Sequence, residues 1–245
     1  MDEQTDEQWS PDGSADVVDI TSPATPRRPL DQMRILRAAV DFIDENGLPK
    51  LTMRRLGGYL GVEAMALYRY VPGRERLLDG VVEVVMDEFY TTTAAVGRST
   101  SWPEFLQMNA HAVRELALRH PRIFPLVATR PAAAPWLRPP LRSLRWVEGF
   151  LEGLRAYGFS PAACVQIYRS FATFLLGALQ LEVGTLEQTG ASDRDRVNLA
   201  FIESDDLSSY PMITQMSEEL KDGGFEQDFE DALEDLIGRV GVLRS

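Results

Sequence analysis

Apolar positions in this chain repeat at helical spacing from residue 31 onward, with polar stretches between the repeats. Residues 31–46 place Ile35, Leu36, Ala39, Phe42 and Ile43 on one stripe, and Asn46-Gly47 closes that helix with a left-handed cap. Residues 52–71 then change character. Thr52 is a side-chain cap, Leu56, Tyr59 and Leu60 share a face, and Gly61 can take positive φ and stop the helix. Gly57 costs about 1 kcal/mol relative to alanine in a helix interior, and its missing side chain lets a second helix come close. Val62 plugs the corner, and Glu63 opens the second helix with a charge suited to its N-terminal dipole. Leu67 and Val71 anchor that helix, leaving Ala64, Ala66, Arg69 and Tyr70 outward. Two short helices at a glycine corner have the layout of a helix-turn-helix, whose second helix fits a DNA major groove.

Pro72-Gly73 breaks the pattern, and 74–92 predicts a long helix with Leu77, Leu78, Val81, Val84, Val85, Glu88 and Phe89 on one side. Residues 91–101 read as a polar loop. Ser101-Trp102-Pro103-Glu104 is a capping box with proline in the first turn. Phe105, Asn109, Ala112 and Leu116 follow on one face. Asn109 and His120 interrupt that apolar stripe, so each needs a partner, since a buried unpaired amide costs on the order of 1–3 kcal/mol. Residues 123–129 predict a short helical piece, 130–135 a turn, and 139–157 another amphipathic helix carrying Leu141, Leu144, Val147, Phe150, Leu151 and Leu154. Gly158 closes it. Ser160-Pro161 opens 162–182, which is apolar on most sides and therefore buried by more than one neighbour. Residues 187–209 read as a loop and 210–220 as one short helix. Phe225, Phe229, Ala232, Leu233, Leu236, Ile237 and Val240 then form a heptad-like stripe with acids opposite. A seam of that length usually meets a partner. Residues 162–182 and this last helix are expected to form a four-helix bundle between two subunits.

Composition refines this picture. Apolar content is 44%, enough for a real core. No apolar run reaches about 18 residues, and no basic segment followed by an apolar one begins the sequence, so it reads as soluble and cytoplasmic. Residues 1–29 are acidic and rich in Ser, Pro and Thr, and they cannot bury enough to order themselves. Arg27 and Arg28 end this tail, as a plain solvated segment or as an arm reaching phosphate. The expected organisation is all-α: a tail over 1–29, a three-helix DNA-binding domain over 30–75, and a larger ligand-binding and dimerisation domain over 76–245. The net charge of −12 looks wrong for a DNA binder, but its distribution resolves this. Between residues 50 and 76 six basic residues oppose two acids, a balance of +4, whereas between 203 and 235 twelve acids oppose one lysine, a balance of −11. With screening over about 8–10 Å, only the local basic segment counts at the DNA.

Catalytic patterns are missing. Cys164 lies alone in an apolar helix, His111 and His120 are not at a metal spacing, and Asp205-Asp206 falls in a solvated loop. The chain is not expected to be an enzyme. Arg54, Arg55, Arg69 and Arg74 are candidates to neutralise phosphates, with Thr52 heading the first motif helix. The methyl groups of Ala64, Met65 and Ala66 suit thymine methyls, while Arg54 and Arg69 suit guanine.

The series Leu56-Gly57, Leu60-Gly61-Val62, Leu67-Tyr68, Tyr70-Val71, Arg74 and Leu77-Leu78 resembles the DNA-binding domain of TetR-family repressors. The match runs from Ile35 to Leu78. The family implies an all-helical homodimer on double-stranded DNA with an inverted-repeat operator, released by a small molecule. The resemblance places Tyr68 and Tyr70 on the sugar–phosphate backbone, with a core role for Tyr68 left open. It matches Arg74 to a lysine of the family and makes the helix after it the carrier of the signal.

Trp102, Phe105-Leu106, Asn109-Ala110 and Ala128-Thr129-Arg130-Pro131 are similar to pocket segments of the tetracycline-repressor branch. Asn109 and Thr129 would then face a ligand, and Arg130-Pro131 would couple pocket to DNA. That branch's drug and metal histidines fall here on Tyr90 and Leu126. Leucine cannot ligate a metal, so neither Mg²⁺-tetracycline nor any cofactor is expected. A larger apolar aromatic effector fits better, with candidate walls Phe105, Asn109, Val113, Leu126, Tyr168, Phe171 and Leu175. The expected function is a ligand-responsive repressor. The alternative is an effector-independent helix-turn-helix regulator or an activator.

Overall fold

The computed structural model describes residues 29–95, 99–129, 137, 143–189, 209–221 and 224–243, and among these the only regular elements are helices. The arm at Arg27-Arg28, the turn at Arg130-Pro131, the start of the helix expected at 139 and most of the loop over 187–209 lie outside the described residues.

In chain order the helices are α1 (Gln32–Asn46), α2 (Met53–Leu60), α3 (Ala64–Leu67), α4 (Arg74–Ala95), α5 (Trp102–Arg119) and α6 (Phe124–Thr129). They continue as α7 (Leu144–Ala156), α8 (Pro161–Thr189), α9 (Pro211–Gln215), α10 (Ser217–Lys221) and α11 (Phe225–Val242). Local rules set most of their ends. The Asp31 carboxylate accepts from the Arg34 amide at 2.7 Å, and Gly47 takes φ 83° after α1. The Ser143 and Ser160 hydroxyls accept from the amides of Trp146 and Ala163, both at 3.2 Å. At α5 the box closes one residue earlier than its usual form: Ser101 Oγ accepts from Glu104, while Glu104 reaches back to the Thr100 amide at 2.6 Å. The Thr100 hydroxyl and amide hold the Glu104 carboxyl below its ordinary value.

Packing follows the stripes. α1 lies against α2 and α4, with Ile35, Ala39 and Ile43 fully buried. Gly80 of α4 is the point of closest approach, where a Cβ would fall 2.5 Å from the Leu36 side chain. α8 forms the centre of the body and meets α5, α6, α7 and α11. By length and composition it could cross a bilayer. Instead it is held among these helices, and its Glu182 carboxylate takes two hydrogen bonds from Arg114 of α5, at 3.1 and 2.7 Å. Only an arginine fork matches a carboxylate in this way, and the pair ties α5 to α8 in a largely dry setting.

Three expectations are corrected. The second motif helix is α-helical only over Ala64–Leu67; beyond it the Tyr70 amide bonds the Leu67 carbonyl in a tighter turn. The Val71 amide reaches the same carbonyl at 2.9 Å, and Pro72, which restricts Val71, keeps the helix from resuming. α8 runs on to Thr189, into the stretch read as a loop. The piece at 210–220 is two short helices broken at Met216. On α11, Phe229, Leu233, Leu236 and Val240 are buried within the chain, against α5 and α8, while Phe225 and Val242 at its two ends stay exposed.

Candidate functional site

The helix-turn-helix is built around Gly57. A Cβ there would lie 2.8 Å from the Val62 carbonyl oxygen and 3.2 Å from the Ala64 nitrogen, both backbone atoms that cannot swing away. Glycine alone lets α2 and α3 meet this closely. Thr52 caps α2 by accepting from the Arg55 amide at 3.2 Å, and Gly61 ends it in the left-handed region at φ 69°. Leu67, wholly buried, pins α3 to the core and Val71 pins the turn after it. Glu63 stands at the head of α3 without a side-chain cap bond.

These anchors leave the other face outward. Met65 is 75% exposed, and Thr52, Arg54, Arg55, Tyr68, Arg69, Tyr70 and Arg74 are also exposed, with Ala64 and Ala66 half-buried beside them. Tyr68 is therefore a surface residue and not a core one. Tyr59, expected on the inner face of α2, is 44% exposed; its ring meets Phe42 edge-on and its hydroxyl donates to Glu45 at 3.2 Å. Burial and the Glu45 charge push that hydroxyl above its ordinary value. Two of the arginines are partly engaged. Arg55 Nη1 donates to the Lys50 carbonyl at 3.3 Å and Arg74 Nε to the Leu51 carbonyl at 3.4 Å, with Arg74 Nη1 3.9 Å from Glu75, and both side chains stay exposed.

The body contains an apolar cavity where α4 to α8 converge. Met86, Phe89, Val113, Leu116, Phe124, Val127, Trp146, Ala172, Leu175 and Leu176 line it. Its volume is about 20 Å³, room for a water-sized molecule and not for a polycyclic one. Of the expected walls, Val113 and Leu175 lie here. Phe105, Tyr168 and Phe171 instead pack around Phe150, at ring separations of 5.6, 6.4 and 5.0 Å. Burial pushes the Tyr168 hydroxyl up to about 12. Asn109 donates to its own helix at the Phe105 carbonyl, 2.8 Å away, and Thr129 to the Pro125 carbonyl at 2.7 Å. Leu126 is core, and the Tyr90 ring lies 3.9 Å beneath the Arg145 guanidinium. The sequence reading missed Trp146, although Trp146, Phe150 and Leu154 recur every four residues on the buried face of α7. It missed Met86 on the inner face of α4 as well. What it lacked was the convergence of five helices, which no single stripe reveals.

Between cavity and motif lies a polar junction. His120, at the end of α5, sets Nδ1 2.6 Å from the Asp44 carboxylate of α1 and Nε2 3.8 Å from Glu88 of α4. Arg119 donates to Glu88 at 2.7 Å, and Arg122 to the Asp44 carbonyl at 2.6 Å. His120 thus has the partner its stripe position demanded. Phe89 and Leu116 of the cavity wall are one residue and one helical turn from these groups. Cys164 is buried, and burial pushes its thiol up, away from the reactive thiolate.

Comparison with known proteins agrees with this architecture. Residues 97–240 match the family model described as "Tetracyclin repressor-like, C-terminal domain". The chain is 28% identical over 200 residues to the HTH-type transcriptional repressor DrrR1 of Streptomyces coeruleorubidus, covering 79% of this chain and 71% of that protein. It is 32% identical over 162 residues to the class A tetracycline repressor from transposon 1721 of Escherichia coli, covering 65% and 68%. A crystal structure of a possible TetR family transcriptional regulator from Streptomyces coelicolor A3(2) superposes with a TM-score of 0.70 at 29% identity, covering 87% of this chain and all of that one. With a family model spanning more than half of its length and helix-turn-helix repressors among its relatives, the chain belongs to the TetR family of transcriptional repressors.

Proposed function

We propose that the protein acts as a homodimer that holds an inverted-repeat operator through two copies of residues 30–75 and releases it when a small apolar aromatic effector enters the body, residues 76–245. The observation that carries this reading is the junction at His120. It joins the end of α5 to α1 and α4, directly beside the cavity wall. A guest that spreads α4 from α5 and α6 works against those contacts and tilts α4, whose first turn follows the exposed arginines. An effector acts only through its unequal affinity for the two arrangements, and a coupling of about 1–3 kcal/mol weakens DNA binding 5- to 150-fold.

In this reading Arg54, Arg55, Arg69 and Arg74, with Tyr68 and Tyr70, face phosphates. Ala64, Met65 and Ala66 face base edges, and Arg54 and Arg69 reach guanine. Two such heads sit about 34–36 Å apart on an inverted repeat. Dimerisation uses the outer face of α8. There Ser170, Thr173, Gly177 and Leu181 are exposed, and a Cβ at Gly177 or Gly184 would meet only open space. Small residues let a second α8 approach closely, and α11 completes a four-helix bundle.

A mobility-shift titration with duplex from the protein's own promoter, paired with light scattering, tests this. A dimer that prefers that duplex over a scrambled one is expected, while a monomer, or equal affinity for both, refutes it. The small cavity favours a second reading, an effector-independent regulator whose body only dimerises. A thermal-shift screen of aromatic natural products separates the two: stabilisation supports an effector, and its absence throughout supports the second reading.

A further inference from the structure

Between residues 50 and 76 the chain carries only two acids, Glu63 and Glu75, among six basic residues. Glu75 lies 3.9 Å from Arg74. Glu63 is exposed, and its carboxylate has neither a hydrogen bond nor an ion pair among the described residues. It does not cap α3, because it accepts from none of the free amides of the first turn. α3 has only four residues, so the dipole that an acid at its head would complement is short. A carboxylate set among groups that meet phosphate weakens binding through repulsion. Glu63 therefore has no structural task that accounts for it. It directly precedes Ala64, Met65 and Ala66, and in that row it alone has a side chain carrying oxygen or nitrogen.

We infer that Glu63 is a specificity-determining residue that selects cytosine in each operator half-site by accepting from its N4 amino group. The inference rests on the helix-turn-helix reading and adds a base to it. The first residues of a recognition helix are the ones that reach base edges. In the major groove guanine and thymine offer only acceptors for hydrogen bonding, and these repel a carboxylate. Adenine sets its N6 donor beside the N7 acceptor, which opposes the second carboxylate oxygen. Cytosine offers N4 with no acceptor beside it on the same base. Glu63 then weakens binding to every duplex through its charge, and only the N4 contact offsets this. Met65, 75% exposed, and the flanking alanines add apolar contact, so the head of α3 reads a single base by hydrogen bond.

Selection by the full chain from a pool of duplexes, randomised over about two helical turns, tests this. The wild type is expected to enrich an inverted repeat with a fixed C·G pair in each half-site, and exchanging that pair for T·A costs about tenfold or more in a mobility shift. Glu63→Ala is expected to accept any pair there, to keep the rest of the repeat, and to hold scrambled duplex more tightly than the wild type does. Glu63→Gln is expected to switch the position to A·T, since an amide matches adenine N6 and N7. Both variants are expected to melt with the wild type, because the side chain has no contact to lose. A lowered melting temperature with an unchanged repeat gives Glu63 a structural role and overturns the inference. So does a Glu63→Ala repeat identical to that of the wild type, or relaxation at an A·T pair in place of C·G. Each of these leaves the operator reading intact, whereas a wild type that enriches no sequence sinks both.

Discussion

The helix-turn-helix and the cavity use apolar burial in opposite ways. In the motif, a few fully buried residues such as Leu56 and Leu67 fix two short helices so that a row of arginines, tyrosines and Met65 stands in solvent. Its determinants lie within some twenty consecutive residues. In the body the determinants face inward, and ten side chains from five helices are needed to enclose one small space. The lesson is one of tolerance. A backbone contact such as that at Gly57 has no room to adjust, whereas a wall of side chains can repack around a guest.

Substitutions that act on one region alone sharpen this contrast, and the largest effect is expected at Gly57. Gly57→Val drives a side chain into the Val62 carbonyl, and operator affinity falls by roughly two orders of magnitude or more with a clear loss of thermal stability. Gly58→Ala, where nothing lies within 4 Å of the added Cβ, gains about 0.5–1 kcal/mol in a urea melt. If both variants behave alike, the close approach is not what matters. Arg69→Ala comes next. It weakens operator binding by about 1–3 kcal/mol and relaxes sequence preference in a mobility shift, with an unchanged melting temperature.

Asp44→Ala tests the link between the regions. It strips His120 Nδ1 of its partner and costs about 1–3 kcal/mol in chemical denaturation. Operator release by ligand is expected to weaken in the same variant, and full retention of release would show that the signal travels elsewhere. The smallest effect lies at the head of α5. Ser101→Ala removes a cap worth about 1 kcal/mol. Glu104, whose carboxyl is held below its ordinary value by Thr100, contributes stability above the usual carboxylate range that is lost as pH falls through its lowered value. The melting difference between wild type and Glu104→Gln is therefore present at neutral pH and vanishes in acid.

Legibility in the sequence tracked the range of the interactions involved. Thr52, Ser101 and Ser160 act within three or four residues of themselves, and the helix starts they cap could be read from them, whereas the equally local cap at Ser143 was hidden by the apolar positions before it. Gly57 was legible because its neighbour lies just past the next corner. Tyr59 was misjudged because periodicity cannot tell a buried ring from one lying across the rim against Phe42. α8 outran its expected end because the polar residues Glu187, Gln188 and Thr189 oppose burial and not helix formation. Periodicity marked the α11 stripe as apolar, and only packing shows that α5 and α8 of the same chain cover its middle.

From the sequence alone came the helical class, the glycine corner, the outward arginines and the family likeness, all set by rules that operate within one or two turns. Tertiary structure alone decided that Phe105, Tyr168 and Phe171 pack around Phe150, that the Trp146 ring lines the cavity, and that Asp44 meets His120. Those outcomes depend on how helices far apart in the chain cross. A stripe states which face turns inward, and only packing states what it meets there.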